Sequence, residues 1–315
     1  MIDGGGRNDD GRGGRGHPPS PPPLRPVQRM YLLNGEEILS LGLTLVGFPQ
    51  CRQDVSDDLN NRRFRAFFGI GPIALAAMFS DIANISPADT IKFLMTINWL
   101  KLYDTEHVMA GRWALREETV RKITREYTEK IQQLKATKVQ MGGFEDDEIF
   151  IISVDGVHCR IQEVRKDPGA KWYSHKFNAA GVTYELGIAI RSNRLVWVNG
   201  PFPASQHDVT TFRSESDPEL GLKSKIPDGK RAIGDSGYKG EPTKISTTKA
   251  GDSKEVKKFK GRVKSRHETF NARLKCFNVL DVPFRHGFAH HKQVFEAVCI
   301  CIQYDIENGN GLFEV

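Results

Sequence analysis

The sequence predicts an α/β fold, with a mixed-sheet domain over residues 146–315 and a small all-helical domain over 51–145 before it. Three observations carry this. The apolar period changes from helical to strand-like at Gly142, Gly143 and the acidic run 145–148. Two short apolar runs, 148–160 (EIFIISVDGVHCR) and 230–240 (KRAIGDSGYKG), lead into aspartates, Asp155 and Asp235. The basic stretch 257–277 (KKFKGRVKSRHETFNARLKCF) sets Phe259, Val263, Phe270, Leu274 and Phe277 at offsets of 4, 7, 4 and 3, one face of an amphipathic helix.

Taken in order, residues 1–50 form a tail whose Gly, Arg and Pro content (GGGRNDDGRGGRGHPPSPPPLRP) predicts disorder. Dense apolar residues over 64–79 and 88–102, punctuated by Pro72 and Pro87, predict helices. A short helix over 105–113, a turn at 114–116 and a longer helix over 117–134 then resemble a helix-turn-helix. Its second helix carries Val120, Ile123, Tyr127, Ile131 and Leu134 on one face. Arg116, Arg121, Lys122 and Arg125 are the candidate contacts to DNA phosphates or bases, although the same pattern fits a plain helical hairpin.

Beyond the boundary, 149–154 reads as a buried strand, 166–169 as a turn, 172–191 as one strand or two, and 195–198 as another. A short helix over 205–214 (SQHDVTTFRS) crosses over to a strand at 231–234, which the crossover makes parallel to an earlier one. If that strand lies beside the first, Asp155 and Asp235 emerge at one edge. A basic loop over 239–256, the amphipathic helix and a buried helix over 290–306 complete the chain.

Composition bounds the function. A 315-residue chain with 39% apolar residues can bury a sizeable core, and it has no run of 18 apolar residues to span a membrane. The N-terminus lacks the apolar core of a signal peptide, and five cysteines without framework spacing fit a reducing compartment. The net charge is +6, yet residues 221–275 hold 16 Lys and Arg against 6 Asp and Glu. DNA or RNA is the natural partner of such a surface; a solvated basic face or a nuclear import signal is the plain alternative.

Glu268 shares its helix face with Lys264, Asn271 and Lys275, a carboxylate flanked by cations. Asp155, Asp235 and Glu268 are therefore the candidate ligands of one metal site. Three acids suit phosphodiester chemistry, in which two divalent ions stabilise the attacking and leaving oxygens, and oxygen ligands select Mg²⁺ or Mn²⁺ over zinc.

Four stretches in this order, VDGVHCRI (154–161), the His207–Asp208 pair in SQHDVTTF, GDSGY (234–238) and Glu268 with Lys275, resemble the catalytic domain of PIF/Harbinger-type DDE transposases and the nucleases derived from them. The resemblance covers about residues 60–305. It implies a ribonuclease H-like fold, an Asp-Asp-Glu triad at Asp155, Asp235 and Glu268, two Mg²⁺ or Mn²⁺ ions, and cutting of DNA with transfer of the 3′-hydroxyl end. It also implies a Myb-like DNA-binding partner, action in the nucleus and room for a homo-oligomer. Lys264 and Lys275 would meet the DNA backbone. Asp208 is the alternative second acid; it opens a helix, where capping would explain it, and with His207 it would border the site. The alternative function is a domesticated, catalytically silent DNA-binding protein. Two rival sites fit less well: a serine nucleophile at Ser236 in GDSG, and zinc held by His286, His290, His291, Cys299 and Cys301.

Overall fold

The first helix begins with a reciprocal cap. Asn34 Oδ1 accepts from the Glu37 amide at 3.0 Å, and the Glu37 carboxylate accepts from the Asn34 amide at 2.7 Å. In the computed structural model, which describes residues 32–53, 56–163, 169–214 and 216–315, this helix, α1 (Gly35–Leu45), buries Ile38 and Leu43 completely. The expected 1–50 tail is corrected accordingly: residues 1–31 lie outside the described residues, and from Asn34 onward a capping box and two buried side chains hold the chain in a helix.

Further helices follow: α2 (Asp57–Phe68), α3 (Pro72–Ile85), α4 (Thr90–Leu102), α5 (Glu106–Trp113), α6 (Glu117–Gln133) and the single turn α7 (Lys135–Lys138). Pro72 stands at the start of α3, where its missing N–H costs nothing. The α5–turn–α6 hairpin forms where the periodicity places it, and α6 buries Val120, Ile123, Tyr127 and Ile131. These helices do not close a core of their own. One apolar cluster runs from Ile38 and Phe64 through Tyr127 and Ile131 into the sheet residues Tyr184 and Leu186 and the last helix. No single helix is long and apolar enough to cross a membrane among the described residues.

The sheet begins with β1 (Phe150–Arg160), continues through the short α8 (Gly169–Trp172) to β2 (Tyr173–Ser174), β3 (Ala179–Ala189) and β4 (Leu195–Pro203), and returns through α9 (Asp208–Arg213) and α10 (Leu222–Lys225) to β5 (Arg231–Ile233) and β6 (Ile245–Ser246). β1, β3 and β4 are consecutive antiparallel neighbours, while β5 lies parallel to β1 and β6 parallel to β5. The expected crossover, with its strand beside the first, is therefore present. This mixed sheet with its flanking helices is consistent with a ribonuclease H-like domain. Two expectations change. β1 does not stop at Val154, because Val157 and Cys159 keep the alternation buried as far as Arg160. The basic loop contains β6, too short to register as a period.

The amphipathic stretch forms α11 (Lys254–Lys275), followed by the single turn α12 (Asn278–Asp281) and α13 (Phe288–Glu307). Ser253 caps α11 by accepting from the Val256 amide at 3.3 Å. Phe270, Leu274 and Phe277 are fully buried, each contributing about 1.5–3 kcal/mol of transfer free energy. Polar residues fix the register of α11 on the sheet. His267 Nδ1 lies 2.8 Å from Ser153 Oγ on β1, and the Arg266 guanidinium donates to the Ala189, Ile190 and Ser192 carbonyls at the end of β3. His267 is 2% exposed, and burial pulls its imidazole down to about 3, so it packs as a neutral ring.

Candidate active site

The last pair between β1 and β5 is Ser153 opposite Ile233. Two residues further along each parallel strand stand Asp155 and Asp235, level with one another where the strands part. Asp155 is still within β1, opposite Leu186 of β3, whereas Asp235 has left β5 and caps a 3₁₀ turn, its Oδ1 accepting from the Gly237 amide at 2.7 Å. The third acid comes from the crossover between β4 and β5. Asp208 opens α9, and a Cβ built on Gly156 or Gly237 would stand 3.1 Å from its Oδ1 or 2.4 Å from its Oδ2. Any side chain at 237 would expel this carboxylate, so glycine there permits Asp208 and Asp235 to approach.

Asp155, Asp208 and Asp235 line one cleft of about 350 Å³, with Gly156 and His207 among its walls. A larger cleft of about 570 Å³ opens beside Arg191 and Arg266, but its acids Asp147 and Glu148 are ion-paired to Arg191. In the smaller cleft, none of the three aspartates has a salt bridge among the described residues. Burial raises the Asp155 carboxyl to about 6, reinforced by the charges of Asp235 and Asp208. Asp208 is raised as well, by burial and then by Asp235. Only Lys176, with His207 for Asp208, opposes these shifts among the charged neighbours. Asn271 on α11 donates to Asp155 Oδ2 at 3.0 Å, and Asp155 Oδ1 accepts from the Gly156 amide at 2.9 Å. Both carboxylate oxygens are thus held from behind.

The residues predicted from sequence divide unequally. Asp155 and Asp235 meet; Glu268 does not join them and lies exposed on α11, one turn before Asn271. Like His207, Asp208, the alternative second acid, lines the cleft with Asp155 and Asp235. It occupies the first helical position with His207 at the N-cap, and no side chain caps α9. Lys264 donates to Thr248 at 3.2 Å and remains at the surface beside Glu268. Lys275 is corrected from a DNA contact to a clamp, because its ammonium donates to the His158 carbonyl at 2.6 Å and the Leu280 carbonyl at 2.7 Å. On the α5–α6 hairpin, Arg116, Lys122 and Arg125 are exposed, whereas Arg121 is held by Glu106, with Nε 2.8 Å from the carboxylate.

The rival sites resolve into structure. Ser236 sits on an exposed turn with no histidine bonded to it among the described residues. His286 and His290 pack against Trp99, His291 bonds to Tyr184 Oη at 2.8 Å, and Cys299 and Cys301 are buried in α13.

The donors of the cleft are all carboxylate oxygens, which suit a hard divalent cation, and the raised titration of Asp155 and Asp208 means that positive charge is needed for them to ionise together. Among the described residues, no three His, Cys, Asp or Glu side chains are arranged as a ready-made cage. The residues fit such an ion in kind, with the acids needing to draw together around it.

Residues 154–303 match a family described as DDE superfamily endonuclease, a segment that runs from the residue before Asp155 to within α13 and includes Asp155, Asp208, Asp235 and Glu268. This supports the superfamily to which the sequence motifs pointed, and with it nuclease-type chemistry on DNA. No curated protein and no solved structure matches the chain.

Proposed function

We propose that the protein is a metal-dependent DNA endonuclease of the DDE type, whose cutting centre is the cleft of Asp155, Asp208 and Asp235. The observation that carries the proposal is the convergence of three carboxylates without a salt bridge among the described residues, from β1, α9 and the end of β5, with Asp155 and Asp208 raised by burial and by their like-charged neighbours.

Asp155, Asp208 and Asp235 would hold Mg²⁺ or Mn²⁺, with Glu268 reaching in from α11 when the ions and DNA are bound. The ions would polarise the phosphodiester and stabilise the charge that builds on its oxygens. The chain's own residues do the rest. Asn271 orients Asp155 through the 3.0 Å bond to Oδ2, the kind of supporting contact that tunes a metal ligand. Gly237 leaves room for Asp208. Lys264 and the remaining basic surface of α11 attract the DNA backbone, and Arg116, Lys122 and Arg125 would add contacts from the α6 side. Of the two candidates for second acid, Asp208 is favoured because it lies against both Gly156 and Gly237, while Asp235 borders the same cleft.

Transfer of a 3′-hydroxyl end, the PIF/Harbinger subtype, a Myb-like partner, self-association and action in the nucleus extend this proposal. They rest on the sequence resemblance and the basic excess of residues 221–275.

The test is nicking of supercoiled plasmid in Mn²⁺ or Mg²⁺. Wild type should nick, chelation should abolish it, and Asp155→Asn should lose on the order of 10²–10³-fold while still binding DNA. A wild-type protein that binds DNA and never nicks would favour the catalytically silent alternative.

A further inference from the structure

One wall of the acid cleft is built for a flat ligand. The β2–β3 hairpin turns through residues 175–178 (HKFN), with Asn178 in the left-handed region at φ 47°. At its tip Phe177 leaves 51% of its surface in water, an unusual place for a large apolar ring, since tight turns ordinarily carry small or polar residues. The ring is nonetheless held in place. It stacks on the His158 imidazole of β1, with centroids 4.4 Å apart and planes 14° from parallel.

His158 is itself braced from behind. A Cβ on Gly181 of β3 would fall 2.0 Å from its Cε1, so the imidazole occupies space that any side chain at 181 would fill. Its Nε2 is buried without a hydrogen-bond partner. Burial, followed by the fields of Lys275, Arg160 and Lys176, pulls this imidazole down to about 4, so the stack is uncharged at neutral pH. Beside it, the Lys176 ammonium lies 5.4 Å from the Phe177 centroid. His158, Lys176 and Phe177 line the same cleft as Asp155, Asp208 and Asp235.

We infer that Phe177, backed by His158, is a stacking subsite for one unpaired DNA base beside the bond to be cut, with Lys176 taking an adjoining phosphate. An apolar ring stacked on one neighbour and half exposed gains by covering its exposed surface with another π-system, and a nucleobase carries a negatively charged phosphate within a few ångströms of its ring. The bases of an intact duplex are already stacked on each other and cannot offer a face. The preferred substrate is therefore DNA that is single-stranded or frayed at the cleavage position. This deepens the nuclease proposal and rests on it for the placement of the scissile bond.

The inference is tested by binding without cutting. A single-stranded oligonucleotide carrying 2-aminopurine, and the same strand fully paired, are titrated with protein in EDTA at fixed salt. Wild type should quench the 2-aminopurine of the single strand and bind it more tightly than the duplex. Phe177→Ala should weaken single-strand binding about tenfold and remove the quenching, with duplex binding changed less than about twofold. Phe177→Trp should restore both. Equal effects of Phe177→Ala on single strand and duplex, or none on either, would overturn the inference, as would failure to bind any DNA. Parallel nicking in Mn²⁺ separates the two ideas: quenching without nicking sustains the subsite and overturns the nuclease, and nicking by a protein that never quenches does the reverse.

Discussion

Acids in two regions of this molecule are treated in opposite ways. Where the helices meet α13, buried acids are saturated with partners. Asp305, 2% exposed, accepts from Arg65 at 3.0 Å, the Gly71 amide at 2.9 Å and Asn310 at 2.6 Å, and Glu296 accepts from Lys135 at 2.7 Å and Gln132 at 2.6 Å. In the cleft at the β1–β5 fork, Asp155, Asp208 and Asp235 share a site with no salt bridge to any of them among the described residues. Buried charge without compensation costs free energy. The partners of the first group hold helices together, whereas the charges of the second face one another without an ion pair among the described residues.

The sharpest way to break this comparison is to neutralise one acid of each kind. Asp208→Asn should lower nicking on the order of 10²-fold. Without metal it should leave the melting temperature unchanged or raise it by a few degrees, since it removes a crowded negative charge. Gain of stability with loss of activity is the signature of an acid kept for chemistry. A melting temperature that falls instead, read by calorimetry, would place Asp208 with the structural acids. Next in size is Asn271→Ala, which frees Asp155 Oδ2 and should cost nicking about 10–100-fold with the fold retained. An unaffected rate would remove Asn271 from the site.

The structural acid should respond the other way. Asp305→Ala leaves the Gly71 amide and Arg65 without their acceptor and should destabilise by about 2–4 kcal/mol. Nicking per folded molecule at 25 °C should hardly change. Denaturant unfolding and the plasmid assay on one preparation give both numbers.

Much of this contrast was legible in the sequence, and the limits have physical causes. Asp155 and Asp235 were visible because each follows an apolar run; the crossover made the second strand parallel to an earlier one, and the structure sets it beside the first. Asp208 was legible only as the alternative second acid, because an acid at a helix start has an ordinary electrostatic explanation; the lack of a side-chain cap among the described residues and the approach to Gly237 distinguish it. The face of α11 was also read correctly as a set, Lys264, Glu268, Asn271 and Lys275, but periodicity fixes which residues share a face and not what each one meets. Asn271 reaches Asp155, Lys275 turns to backbone carbonyls, and Glu268 stays outside. The stack of His158 on Phe177 had no signal at all, since it joins a strand to a turn across 19 residues of sequence.

Glu185 sharpens the comparison from a third side, with the smallest expected effect. It lies opposite Gly156 in the β1–β3 register and is 1% exposed. One oxygen accepts from Trp197 Nε1 at 3.0 Å and the other has no partner. Burial pushes its carboxyl up to about 8, with Asp208 adding in the same direction, so this acid is neither paired nor ionised at neutral pH. Its titration is raised on folding. The associated stability is complete below about 4.5, where folded and unfolded chains are both protonated, and is lost as pH rises through 8. Glu185→Gln keeps the shape and the bond to Trp197 but cannot ionise. The variant should therefore match wild type near pH 4.5 and gain progressively in melting temperature up to about pH 8, above which the difference levels off. Parallel melting curves across that range would show Glu185 ionised and compensated after all, and so moved into the paired group.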